Sequence, residues 1–190
     1  MSKKPILPIA AIGEINWVDN LKSFLSTYEV VAKGIPLQNE VSLISFGFGD
    51  QIRSYYKHFG ATESAEFMYY LKRYNELEWL HTSRYSKTLT EYFPLDELSN
   101  FVIIGESLHE DPICLNIQNQ RIYTFTKKPS GMHILFNSFN DYLLIELMNF
   151  KKQVCAFDFD NREQERAYLN TIVNDKGIDQ KLRHNKLYQG

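Results

Sequence analysis

Three stretches of the chain carry side chains whose type and spacing could do chemistry. Phe46-Gly47-Phe48-Gly49-Asp50 opens like a phosphate-binding glycine loop. The G-x-G-x-x-G pattern, however, needs a third glycine where this chain has Ile52, and Asp50 would set a negative charge beside the phosphate. A turn leading into a capped helix accounts for these residues better. Asp158-Phe159-Asp160-Asn161-Arg162-Glu163 begins like a calcium loop, but Arg162 and Glu163 stand where that loop requires an oxygen ligand and a glycine. Asp160-Asn161 reads instead as a helix N-cap, with Glu163 and Glu165 favoured by the helix dipole in the first turn. Ser107 and His109 lie close enough in sequence for a nucleophile and its base, yet such a pair needs an orienting third group and an oxyanion donor. A turn after Gly105 is the setting expected for them. The five histidines, His58, His81, His109, His133 and His184, include no pair at i+3 or i+4 and no adjacent cysteine. The expectation is therefore no catalytic residue, no metal and no cofactor.

The distribution of charge is more informative. Between Thr88 and Gln120 there is no Lys or Arg, while Glu91, Asp96, Glu97, Glu106, Glu110 and Asp111 supply six negative charges. The rest of the chain is close to neutral, since the overall formal charge is -2. Such a block can be solvated loop ends around a buried strand, or a face that meets a basic partner. No basic patch interleaved with aromatics exists, so direct nucleic-acid binding is not expected.

The elements that must position these residues follow from periodicity. A chain of 190 residues, 44% hydrophobic and 23% charged, has the size and balance of one globular domain. Aromatic residues make up 14%, so the core and part of the surface should be rich in rings. Residues 1–14 form an irregular lead-in containing Pro5, Pro8 and Gly13, residues 15–150 the folded body, and 151–190 a C-terminal helical extension. Asn16 opens a helix with the stripe Trp17, Leu21, Phe24, Leu25 and Tyr28, stopped by Gly34 and Pro36. Asp50 caps a second, carrying Ile52, Tyr55, Tyr56 and Phe59, with Gly60 at its end. A third starts at Thr62 or Ser64 and carries Phe67, Met68, Leu71 and Tyr74. Glu76–Leu80 suits a helical turn, and the chain should be extended where Tyr92-Phe93 meets Pro94. Strands follow over Phe101–Ile104, Ile113–Ile117, Ile122–Thr126 and from Met132, with a hairpin at Gln118-Asn119-Gln120 and a turn at Lys128–Gly131. Ser138 and Asp141 cap a helix with the stripe Phe139, Tyr142, Leu143, Leu147 and Phe150, and a last helix spans Asn161 to about Asp175. The expected fold is α+β, with a central, mainly antiparallel sheet of about four to six strands flanked by helices.

Cys114 lies in an apolar strand and reads as a small buried hydrophobe, and Cys155 shows no metal spacing. Pro8, Gly13 and Glu14 interrupt the apolar start, leaving neither a signal-peptide core nor a membrane helix. A cytoplasmic, reducing location without membrane attachment is expected.

Helices, then an antiparallel sheet, then a capping helix is an order that resembles the SUKH superfamily. The likeness is carried by Leu77-Glu78-Trp79-Leu80, Phe101-Val102-Ile103-Ile104-Gly105-Glu106-Ser107, Asp111-Pro112-Ile113-Cys114-Leu115-Asn116, Ile122-Tyr123-Thr124-Phe125 and Phe136-Asn137-Ser138-Phe139-Asn140-Asp141-Tyr142-Leu143. It covers roughly residues 40–150. Two departures stand out: Phe46–Asp50 replaces the Leu-Pro that often precedes the family's early Tyr-Lys-x-Phe-Tyr helix, and Asn116 replaces a strand-end acid. The family includes bacterial immunity proteins against polymorphic toxins and fungal regulators of cell-wall synthesis. The resemblance thus implies an antitoxin that neutralises a cognate toxin domain, of nuclease type, by stoichiometric binding. Its anchors would be Trp79, Tyr85 and Tyr92, ringed by Glu106, Glu110 and Asp111. The alternatives are a non-enzymatic scaffold in cell-wall or polysaccharide synthesis, which would recover several partners in a pull-down, and a hydrolase using Glu106, Asp111 and Asp158, which would show a pH–rate profile.

Overall fold

A computed structural model of the chain describes residues 14–154 except 65–66, 68–69, 108 and 128–129, together with 163, 167, 170, 171 and 174. The centre is a five-stranded antiparallel sheet in simple sequential order. Its strands are β1 (Glu78–Trp79), β2 (Phe101–Glu106), β3 (Pro112–Asn116), β4 (Ile122–Lys127) and β5 (Ser130–Phe136). Helices α1 (Trp17–Ser26), α2 (Glu40–Ser45), α3 (Asp50–Phe59), α4 (Ser86–Leu89), α5 (Leu95–Leu98) and α6 (Phe139–Val154) complete the described architecture. The fold is α+β, as expected from the sequence.

The sheet is covered on both sides, and this explains why Phe101–Ile104 of β2 and Ile113–Leu115 of β3 are apolar at successive positions. Side chains alternate across a strand. Val102, Ile104, Ile113, Leu115 and Ile122 therefore pack with the buried stripes of α1, α3 and α6. Phe101, Ile103, Cys114, Tyr123 and Phe125 point the other way, onto Leu80, Tyr85, Leu89 and Leu98. The segment from Leu80 to Leu98, two short helices and turns, thus forms the second cover of the sheet. A strand buried on both faces has no solvent side on which to place polar residues.

Several local details differ from the expectations. Helix α1 ends at Ser26, well before Gly34, because Glu29 adopts a left-handed φ of 60° and the Val30 amide reaches back to the Leu25 carbonyl. That is the usual helix-terminating arrangement with glutamate in the position glycine favours. Helix α2 is additional to the helices expected. Helix α3 has the expected span and buries Ile52, Tyr55, Tyr56 and Phe59. Asp50 is its first residue and its carboxylate pairs with Arg53 rather than capping a backbone amide. The third helix is not formed as expected: Phe67 and Tyr70 lie in turns and Leu71 bridges Gly105. The Lys72 amide donates to the Ile104 carbonyl at 2.7 Å and the Glu106 amide to the Tyr70 carbonyl at 3.1 Å. Residues 70–72 therefore extend the edge beside β1. Glu78-Trp79 is a strand instead of a helical turn, flanked by short 3-10 turns. Before Pro94, Tyr92 and Phe93 fold back so that both amides donate to the Leu89 carbonyl.

The β3–β4 hairpin forms where expected. The left-handed residue is Gln120, with φ of 58°, and not Asn119. Asn116 sets the turn: its side-chain oxygen accepts from the amides of Gln118 and Asn119 at 2.9 and 3.1 Å. At α6 the cap is as read, with the Asp141 amide donating to Ser138 Oγ at 3.1 Å. Ser130 and Gly131 belong to β5, whereas Lys128 and Pro129 lie outside the described residues. The lead-in up to residue 13, Cys155, the 158–163 loop apart from Glu163 and most of the final helix lie outside them too, although the five residues described there are helical.

Candidate functional site

The Ser107–His109 pair is organised as a turn. Ser107 Oγ accepts the amides of His109 and Asp111 at 3.2 and 3.1 Å, which spends the hydroxyl on backbone. The Gly47–Gly49 loop is likewise occupied from within. Gln120 Oε1 accepts the Gly49 amide at 2.8 Å, and Gln120 Nε2 donates to the Gly47 and Ile117 carbonyls at 3.2 and 2.8 Å. Among the described residues, no group of three or more His, Cys, Asp or Glu could hold a metal ion. The Cys114 thiol is fully buried and its pKa is pushed well up by that burial.

A cleft of about 440 Å³ lies between α3 and residues 62–76, floored by Tyr55, Phe59, Phe67 and Leu71 and edged by Glu63, Lys72, Arg73 and Glu76. Its charged groups engage one another and their neighbours. Arg73 Nε lies 3.8 Å from Glu76, Lys72 Nζ 3.0 Å from Glu78 and Lys33 Nζ 3.9 Å from Glu63. Glu76 also accepts the Arg73 amide at 3.0 Å, closing the 3-10 turn. The contacts of Arg73 with Glu76 and of Lys72 with Glu78 are internal to the 72–78 segment and fix its shape.

The six anchor and rim residues are not brought together as one exposed face. Trp79 is half-buried, its ring tilted against Phe46 at 5.5 Å. Tyr85 is only 4% exposed and belongs to the core under the sheet, so it cannot act as a surface anchor as placed. Its phenol pKa is raised by burial, opposed by a hydrogen bond donated from Arg84 at 2.9 Å. Tyr92 alone of the three rings is exposed, at 54%. Glu106 pairs with two cations, 3.0 Å from Arg84 and 3.6 Å from Lys72, which both precede the acidic block in sequence. Glu110 is exposed in the left-handed region at φ 60°, and Asp111 is half-buried beside it.

The acidic character survives elsewhere in the block. Leu89 and Leu98, 1% and 0% exposed, pin the two ends of the 89–98 turn into the core under the sheet. Between them Tyr92 and Leu95 face outwards, Leu95 at 55% exposure. Glu91, Asp96 and Glu97 flank them, and no ion pair involves these three acids among the described residues. Two exposed apolar side chains thus stand among three acids close in sequence, on a segment pinned to the core at both ends. Leu95 is not a site residue on sequence grounds, and Glu91, Asp96 and Glu97 enter there only as members of the acidic block. The signal for them in the chain is Tyr92 and Leu95 standing among three acids of one sign, with no Lys or Arg from Thr88 to Gln120.

Comparison of the chain with protein-family models, with curated proteins and with solved structures finds no match. Among the described residues no helix is long and apolar enough to cross a membrane.

Proposed function

We propose that this chain is a SUKH-like immunity protein that neutralises a basic toxin domain by stoichiometric binding, through the face made by Tyr92, Leu95, Glu91, Asp96 and Glu97. The observation that carries the reading is the pairing of outward Tyr92 and Leu95 with three acids free of ion pairs among the described residues. An exposed aromatic and an aliphatic side chain supply buried contact area on association, and Tyr does so with few rotatable bonds to order. The acids steer encounter with a cationic surface, such as the phosphate-binding groove of a nuclease. Glu106 contributes little to that field because Arg84 and Lys72 neutralise it where it stands. The sequential antiparallel sheet with a Ser138-capped helix after it agrees with the resemblance that suggested the family. The protein would act in the cytoplasm, without cofactor and without bond-making chemistry of its own.

The test is co-expression with basic, nuclease-type toxin domains, any encoded next to this chain first, followed by calorimetry on the purified pair. A one-to-one complex is expected, and Tyr92→Ala and Leu95→Ala should each weaken it by about tenfold or more. Charge reversal at Glu91 or Asp96 should slow association and flatten its salt dependence. A complex untouched by the Tyr92→Ala/Leu95→Ala double variant moves the contact away from this face. Absence of both complex and protection removes the immunity reading altogether.

A further inference from the structure

A second apolar surface lies on another part of the molecule. Leu37, Val41 and Ile44 recur at i, i+4 and i+7 along the 3-10 turn Leu37–Asn39 and α2, which follows it directly. They are 77%, 70% and 59% exposed, while Leu43 is buried. A surface helix ordinarily turns its apolar stripe inwards. Here one leucine secures the helix and three aliphatic groups face outwards.

The lead-in of the chain carries apolar side chains at a matching spacing. From Pro5 to Gly13 it reads Pro-Ile-Leu-Pro-Ile-Ala-Ala-Ile-Gly, with no charged residue between Lys4 and Glu14. Ile6, Ile9 and Ile12 recur at every third residue. In polyproline II three residues complete a turn, so this spacing would set all three on one edge. Pro5 and Pro8 favour that conformation and carry no amide that needs a partner. Successive isoleucines would then stand about 9 Å apart, close to the roughly 10 Å that separate Leu37 from Ile44 along a helix.

The lead-in also enters the fold close to the stripe. The Trp17 amide donates to the Glu14 carbonyl at 3.2 Å, and the Trp17 ring packs on Phe59, the last residue of α3, at 5.8 Å. Two residues before Phe59, Lys57 Nζ lies 3.2 Å from Glu40, the first residue of α2. His58, between them, feels the charges of Asp19 and Lys22 in α1 and of Glu40 in α2. The starts of α1 and α2 therefore meet at one end of α3.

We infer that residues 6–12 lie across the Leu37, Val41 and Ile44 stripe as an extended strap. Seven residues at about 3.1 Å each reach roughly 22 Å, more than the length of the stripe, so the connection asks for no movement of α1. Aliphatic groups on both sides leave water when the strap closes. Ordering seven residues opposes that gain, and Pro5 and Pro8 reduce the cost because their φ is already fixed. The contact is accordingly shallow, and one charged substitution in the stripe is enough to open it.

Nuclear Overhauser contacts in the full chain, labelled at Ile, Leu and Val methyl groups, test this without any toxin, so the outcome is separate from that of the immunity reading. Contacts are expected from Ile9 or Ile12 to Val41 or Ile44, unchanged on dilution, and Ile9→Asp should remove those of Ile12. Thermolysin should cut before Ile12 at least about tenfold faster in Val41→Asp and Ile44→Asp than in the parent, because a charge in the stripe releases the strap. Circular dichroism confirms that the variants are folded. Stripe methyls that contact no residue of 6–12 overturn the proposal, and so does cleavage that both stripe variants leave unchanged. Contacts that fade on dilution, or that join differently labelled chains, would put a second copy on the stripe and overturn it as well.

Discussion

Gly105→Ala is the sharpest perturbation of the sheet edge. A Cβ built on Gly105 would sit 2.0 Å from the Tyr70 carbonyl oxygen and 3.1 Å from its carbon. Both are backbone atoms, so no side chain can rotate aside. The clash falls where residues 70–72 join β2 through the Lys72-to-Ile104 and Glu106-to-Tyr70 hydrogen bonds, 2.7 and 3.1 Å long. Relieving it requires that chain to move outwards, which breaks or strains both bonds at about 1 kcal/mol each. Over-packing of the neighbouring core adds about 1–3 kcal/mol. Narrowing the unfolded ensemble by replacing glycine returns up to about 1 kcal/mol. The net expectation is a loss of about 2–5 kcal/mol, read as a lower urea midpoint at unchanged m, with the Lys72 amide losing protection from hydrogen exchange. Gly47→Ala is the internal control. There the added Cβ has room, its nearest contact being Ile117 Cβ at 3.4 Å, but φ is 71°. Only backbone strain of about 1 kcal/mol should appear. A Gly105→Ala chain as stable as the parent, with Lys72 still protected, would show that residues 70–72 are not held against β2.

Leu98→Ala removes a fully buried side chain beneath the sheet and should cost about 2–5 kcal/mol in denaturant unfolding. If the proposed toxin-binding face is right, it should also weaken that binding without altering a contact residue, since Leu98 anchors the turn that presents Leu95. Asn116→Ala deletes the acceptor of the Gln118 and Asn119 amides and should cost about 1–2 kcal/mol by the same assay. His58 has its pKa lowered, chiefly by burial and then by Lys22 and Lys57, from an ordinary value of 6.5. The unfolded chain thus binds the proton more readily than the folded one, so stability from this group is present above pH 6.5 and declines as pH falls below it. Thermal unfolding between pH 7.5 and 5 should show a shallower decline for His58→Gln than for the parent.

The sheet was legible because β2, β3 and β4 are short apolar runs bounded by turn residues, a pattern with few competing explanations. The stripes of α1, α3 and α6 were equally plain, and the Ser138 cap followed from one hydroxyl at the right spacing. What escaped was decided by partners distant in sequence. Residues 67–74 have helical spacing, but Leu71 finds Gly105, and glycine admits a backbone so close that edge pairing wins over propensity. Glu106 reads as part of an acidic block because a one-dimensional charge count cannot see Arg84 and Lys72 arriving from preceding elements. Tyr85 reads as an anchor, since aromatic rings in cores and on contact faces have the same composition. Only its packing with Leu80, Leu89 and Leu98 assigns it inwards.

The segment from Leu80 to Leu98 joins fold and proposed function in one piece of chain. Its inner side must bury Leu80, Tyr85, Leu89 and Leu98, or the second face of the sheet is left wet and β2 loses the reason for its apolar composition. Its outer side carries none of that load. Glu91, Tyr92, Leu95 and Asp96 are exposed, and substitutions there should shift stability by no more than about 0.5 kcal/mol. A contact face built on short turns pinned at both ends is rigid enough to limit the ordering cost of association. It is also decoupled from the core, so its charge and shape can be altered without unfolding what supports it. That combination suits a protein whose task is to match one particular partner. It makes the stability of Tyr92→Ala and Leu95→Ala as informative as their binding: both variants should unfold where the parent does, and a large loss in either would place these side chains in the core instead of on the docking face.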